Sequence, residues 1–132
     1  MSFLLHASTC LAYLRNNARV GARIQQHQGN LHVSVITSLE IELALLDPRT
    51  PLGYTPRWFT IVGNFTFLPV DGPIVHRAAL IGHDLRRQGR RIGTAALLVA
   101  ATAVLRGLTL VTTSTAAFQA IAGLTLVDWS AP

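Results

Sequence analysis

Residues Ile92–Phe118 read IGTAALLVAATAVLRGLTLVTTSTAAF, and this stretch decides the fold. Thr94 is a candidate N-cap, because its hydroxyl can accept from the free N–H groups of a first helical turn. Ala95–Arg106 follows without Gly or Pro and is rich in strong helix formers. It is apolar nearly all round, which predicts a buried helix. It is too short for a bilayer span, which takes about 20 apolar residues. Gly107 supplies the left-handed position that ends a helix. Leu108–Thr112 then reads as a short buried strand. A helix feeding a strand through a tight Gly turn is half of a βαβ unit. The loop beyond, Thr112-Thr113-Ser114-Thr115, carries hydroxyls and no charge. In open parallel sheets, sites are built past the carboxyl ends of strands.

Working outward, the same alternation repeats. Ser2–Leu5 reads as a first strand and His6-Ala7-Ser8 as the turn at its carboxyl end. Thr9–Arg15 and Ala18–Gln28 read as helices, broken at Asn16-Asn17. Leu31–Ile36 is the second strand. Thr37 then caps a helix in a Thr-x-x-Glu capping box with Glu40, which gives Glu40 a structural role. Asp47–Pro56 is the loosest region, followed by a helix over Arg57–Asn64 and a third strand over Phe65–Val70. Asp71 caps a helix with Pro73 in its first turn. That helix runs to about Gln88 and ends in the basic turn Arg86-Arg87-Gln88-Gly89-Arg90-Arg91. His76 and His83 lie two turns apart on it, roughly 10 Å at 1.5 Å per residue, and read as solvated surface histidines. Ala116–Ile121 is a short helix or turn and Leu124–Val127 a last strand. The order predicts an α/β fold: a three-layer sandwich around a mostly parallel sheet.

The 132 residues fit a single domain with a substantial core. Eleven arginines, no lysine and only six acids give a formal charge of +5. Such a balance favours anionic partners such as nucleic acid; scarcity of acids is the plainer alternative. Arg86, Arg87, Arg90 and Arg91 could touch RNA phosphates, although a helix C-terminus also favours cations through its dipole. The lone Cys10 excludes an internal disulfide and fits a reducing, cytoplasmic setting. It sits in an apolar run and reads as a core residue. The N-terminal MSFLLHA lacks the basic start and long apolar run of a signal peptide, and no membrane association is expected.

The succession MSFLL, HVSVIT-x-x-E, FLPVD, LRRQGRRIGTAALLVAATAVLRGLTLVTTSTAAF and GLTLVDW resembles the VapC-type PIN domains, toxins of bacterial type II toxin–antitoxin pairs. The resemblance spans essentially the whole chain. It implies a PIN-like α/β/α sandwich and an endoribonuclease that uses Mg²⁺ or Mn²⁺. It also implies a homodimer held inactive by a small antitoxin. A hard cation needs oxygen ligands, and the metal then activates water and steadies charge on the phosphate. In the family the first strand ends in Asp-Thr-Asn, where this chain has His6-Ala7-Ser8. The acid after the second strand is present as Glu40. The third acid, within Gly-x-x-Asp-x-Leu, corresponds to Ala96. The loop Thr-x-[Asn/Asp]-x-x-Asp/His-Phe corresponds to Thr112–Phe118, with Ser114 and Ala117 at the ligand positions. Glu40 is thus the only retained ligand. Carboxylates at positions 6, 96 and 117 would raise six acids to nine and lower the charge from +5 to +2.

Two chemistries are left to the residues themselves. His6 could join Glu40 around Zn²⁺ or Mn²⁺, ions that suit imidazole better than Mg²⁺ does. His6 could also serve as a base for Ser8 or Ser114, with only Glu40 to orient it. The expectation is a toxin-family protein whose catalysis is impaired, with Glu40 the one ligand left and no Mg²⁺ or Mn²⁺ bound. The alternative is a non-catalytic PIN-fold binding protein, either an antitoxin decoy or an RNA binder.

Overall fold

The computed structural model describes residues 1–132. Five parallel strands form one sheet in the order β3-β2-β1-β4-β5. They are β1 (Phe3–Leu5), β2 (Leu31–Ser34), β3 (Thr66–Leu68), β4 (Thr109–Val111) and β5 (Leu126–Val127). The sheet is wholly parallel rather than mostly so. Seven helices intervene: α1 (Ala7–Leu14), α2 (Ala18–Gln26), α3 (Val35–Leu46), α4 (Tyr54–Ile61), α5 (Gly72–Arg87), α6 (Thr94–Arg106) and α7 (Thr115–Phe118). Side chains alternate across a strand, so β1 feeds both layers. Phe3 and Leu5 join one apolar cluster with Leu14, Val20, Ile24, Ile41 and Trp58. Leu4 joins the other with Ile74, Leu85, Val99, Leu110 and Phe118. The three-layer expectation holds, and no helix is long and apolar enough to cross a membrane.

The chain starts at the middle of the sheet, runs outward through β2 and β3, then crosses back to β4 on the other side of β1. The order reverses between β1 and β4. At such a switch point the connections leave the two strands in opposite directions and open a crevice past their carboxyl ends.

Several sequence-based boundaries shift. α1 begins at Ala7, so His6-Ala7-Ser8 is the start of a helix rather than a turn. β2 stops at Ser34, whose hydroxyl accepts from Ile36 N at 3.1 Å and caps α3. The Thr37–Glu40 capping box is therefore not formed: Thr37 lies within the first turn, buried, with no partner for its hydroxyl. The β-branched pair Val35-Ile36 carries a strand signal into what is helix. Thr94 does not cap α6 either. Gly93 holds the cap position with extended backbone, and no side chain bonds there. The fourth helix starts at Tyr54 and gives way to a 3₁₀ turn at Val62–Asn64, earlier than Arg57–Asn64.

Other local readings stand. Asp71 caps α5 by accepting from Ile74 N at 3.0 Å, with Pro73 in the first turn. Gly107 ends α6 at φ 65°. Asn16 adopts φ 64°, which Asn tolerates better than most residues, and Asn17 caps α2 by accepting from Val20 N.

Candidate functional site

At the reversal, Leu5 pairs with Val111 in register. His6 and Thr112 are the next residues of their strands, so the fold sets them side by side at the carboxyl edge. His6 N donates to Val111 O at 2.9 Å, carrying the ladder one step further. Thr9 Oγ1 donates to the same carbonyl at 2.9 Å. His6 Nδ1 lies 2.8 Å from Ser8 Oγ and 3.0 Å from Thr112 Oγ1. The two hydroxyl oxygens are 3.1 Å apart, which closes a triangle. Two backbone amides feed it: Thr113 N donates to Ser8 Oγ and Ser114 N to Thr112 Oγ1, each at 3.0 Å. The Phe118 ring packs edge-on against the imidazole, with ring centres 5.2 Å apart. Burial pushes the His6 pKa below its ordinary value of 6.5, which favours the neutral ring.

The remaining positions bring little charge. Ala96, in the first turn of α6, is half-buried, and Ala117, in α7, is exposed. Both end in methyl groups. Ser114 is exposed and enters the cluster through its backbone N–H, not its hydroxyl. Glu40 lies on α3, which packs against both α1 and α6. Partial burial pushes its carboxyl pKa above 4.5. Its charge also reaches Cys10, whose thiol is pushed up to about 12, chiefly by burial. Cys10 is fully enclosed in the core, as its apolar setting predicts. His76 and His83 are both exposed on α5, as expected.

Arg86, Arg87, Arg90 and Arg91 are exposed around the turn between α5 and α6. None meets a carboxylate: the two ion pairs in the molecule are Arg49–Asp47 and Arg106–Asp71. Of the residues singled out from sequence, the structure thus joins His6 to Ser8 but not to Ser114. It adds Thr112, which sequence reasoning saw only as a loop hydroxyl. The signal was available in the pairing of its strand with β1, and that pairing is not written in the local sequence.

The PIN domain family model matches residues 4–124. The chain belongs to the PIN domain family. It is 28% identical over 131 residues to the tRNA(fMet)-specific endonuclease VapC of Shigella flexneri, covering 98% of this chain and 99% of that protein. Among solved structures it is similar to FitAcB from Neisseria gonorrhoeae, with 25% identity and a TM-score of 0.83 over 96% of this chain and 97% of that one. It also matches the DNA-bound VapBC of Salmonella typhimurium, with 23% identity and a TM-score of 0.88 over 98% of each chain. The second likeness speaks for the fold alone.

Within this PIN domain the donor set does not fit a hard divalent cation. Such an ion wants several oxygen ligands, with carboxylates among them. Nowhere in the chain do three His, Cys, Asp or Glu side chains come together in a way that could hold a metal ion. His6 uses Nδ1 inside the triangle, so a softer ion would have only Nε2 and Glu40 available. A Ser8–His6 nucleophile pair has the distance, but the His6 ring bonds only to Ser8 and Thr112 and no carboxylate orients it.

Proposed function

We propose that this VapC-like PIN domain is the toxin-family component of a type II toxin–antitoxin pair, with its nuclease function impaired. The activity implied by the family is hydrolysis of RNA phosphodiesters with Mg²⁺ or Mn²⁺. The observation that carries the impaired reading is the carboxyl edge itself. Neutral groups, His6, Ser8 and Thr112, stand bonded to one another at the switch point. Glu40 is the sole carboxylate among the family's ligand positions, too few for the hard cation of the family reaction. What persists is a surface for partners: an antitoxin and a second copy of the chain, in the cytoplasm.

The test is cleavage of a structured RNA by the purified chain with Mg²⁺ or Mn²⁺, beside co-purification with the product of a neighbouring small reading frame. The proposal expects a stable complex and no chelator-sensitive cleavage. Metal-dependent cleavage removed by EDTA would return the enzyme reading. Failure to hold any antitoxin-like partner would remove the binding one.

A second reading, an RNA binder, is favoured by one observation: Arg86, Arg87, Arg90 and Arg91 cluster in the open without carboxylate partners. Binding through them would weaken steeply with salt, because each phosphate contact releases counterions. Unchanged affinity in an Arg90→Ala/Arg91→Ala variant would argue against it.

A further inference from the structure

We infer that His6, Ser8 and Thr112 form a clamp that closes the carboxyl edge between β1 and β4 without a metal ion. This deepens the impaired-site reading above, and the experiment below fails separately from it.

The clamp joins parts of the chain that are far apart in sequence. His6 and Thr112 are 106 residues apart, Ser8 and Thr113 are 105. Together they fix the first turn of α1 to the loop that leaves β4. Such long-range closures hold the ends of strands that would otherwise fray, because the ladder of each strand is only three residues long.

The bookkeeping of hydrogens supports a self-sufficient cluster. With Nδ1 accepting, the two hydroxyl hydrogens make two of the three contacts at a time, Ser8 to His6 and Thr112 to Ser8, and two backbone N–H groups are satisfied by the same oxygens. A neutral imidazole completes it with no net charge. A cation entering here would meet hydroxyl oxygens already committed to amide donors, and at most the single carboxylate of Glu40 to replace its lost water. Ala96 and Ala117 add no donor or acceptor through their side chains. Phe118 shields the imidazole on one side, which strengthens polar contacts by lowering the local dielectric.

A clamp of this kind makes a prediction that a vacant, loosened site does not. The amides of Thr113 and Ser114 sit in a surface loop, yet each is bonded into the triangle. In the intact chain with EDTA present, their hydrogen exchange should be slowed on the order of 100-fold relative to an unstructured peptide. Thermal unfolding provides a second reading. Thr112→Val keeps the side-chain shape but removes the hydroxyl, and should lower Tm by about 3–8 °C. Ser8→Ala should behave alike, and the double variant should lose less than the sum, because the bonds are shared. Tm of the unaltered chain should be the same in EDTA, Mg²⁺ and Mn²⁺.

Free exchange of both amides in EDTA overturns the clamp, as does a Tm that rises saturably with Mg²⁺ or Mn²⁺. Additive losses in the double variant overturn the shared network. The exchange measurement needs no variant, so a substitution that fails to fold does not leave the matter open. RNA cleavage and antitoxin binding are read separately, so their failure touches the proposed function and leaves the clamp standing.

Discussion

The interior of β1 and β4 and the carboxyl edge of the same two strands differ in what holds them together. Leu4, Leu5, Leu110 and Val111 are wholly buried, and their side chains join the two apolar clusters. One residue further on, His6 and Thr112 are polar and meet each other by directional bonds. The interior tolerates only apolar residues of suitable volume, because its stability comes from area removed from water and from close packing. The edge answers to geometry and charge, through the directional bonds of His6, Ser8 and Thr112. The resemblance to VapC implies carboxylates at this edge, and the proposed impairment rests on the neutral His6, Ser8 and Thr112 that stand there.

This contrast can be broken most forcefully in the interior. Leu110→Ala should cost about 2–5 kcal/mol, since the site is fully enclosed and cannot collapse freely. Denaturant unfolding measures it; a cost near zero would mean that the central strands do not carry the fold. Next is the edge with charge restored. A His6→Asp/Ala96→Asp/Ala117→Asp variant should melt below the unaltered chain in EDTA, by on the order of 5 °C. Neighbouring like charges repel and the triangle is lost. An equal or higher Tm would separate the clamp from stability. Smaller still is the cap of α5. Asp71→Ala removes the acceptor for Ile74 N and the partner of Arg106, and should cost about 1 kcal/mol.

The smallest effect sharpens the comparison through pH. Burial lowers the His6 pKa in the folded chain below 6.5. The unfolded chain therefore takes up the proton first as pH falls. Stability is intact above pH 6.5 and declines as pH drops below it, until the folded pKa is passed. His6→Gln should flatten that part of the profile of Tm against pH. Stability that rises on acidification through this window would contradict the burial argument.

Much of the scaffold was legible because it is written in local patterns. The apolar run of α6 ending at Gly107 and the Asp71 cap with Pro73 each follow from neighbouring residues. Where local rules competed, they misled. Val35 and Ile36 are β-branched yet helical, because Ser34 ends the strand and caps the helix two residues before Ile36. The capping role read for Glu40 went with them. The site was half legible. The family resemblance pointed to positions 6, 8, 40, 96, 114 and 117, and the sequence places one acid among them, Glu40. What replaced them was not legible. The partnership of His6 and Ser8 with Thr112 depends on β4 lying beside β1, a contact across about a hundred residues. No window of sequence contains both ends of it.

The most direct test is a calorimetric titration of Mn²⁺ into the unaltered chain near neutral pH. No saturable heat is expected, because His6, Ser8 and Thr112 at the carboxyl edge are neutral and already bonded to one another. Saturable binding of one ion per chain, reversed by EDTA and abolished by His6→Ala or Glu40→Gln, would contradict it and show that a metal site survives at the switch point.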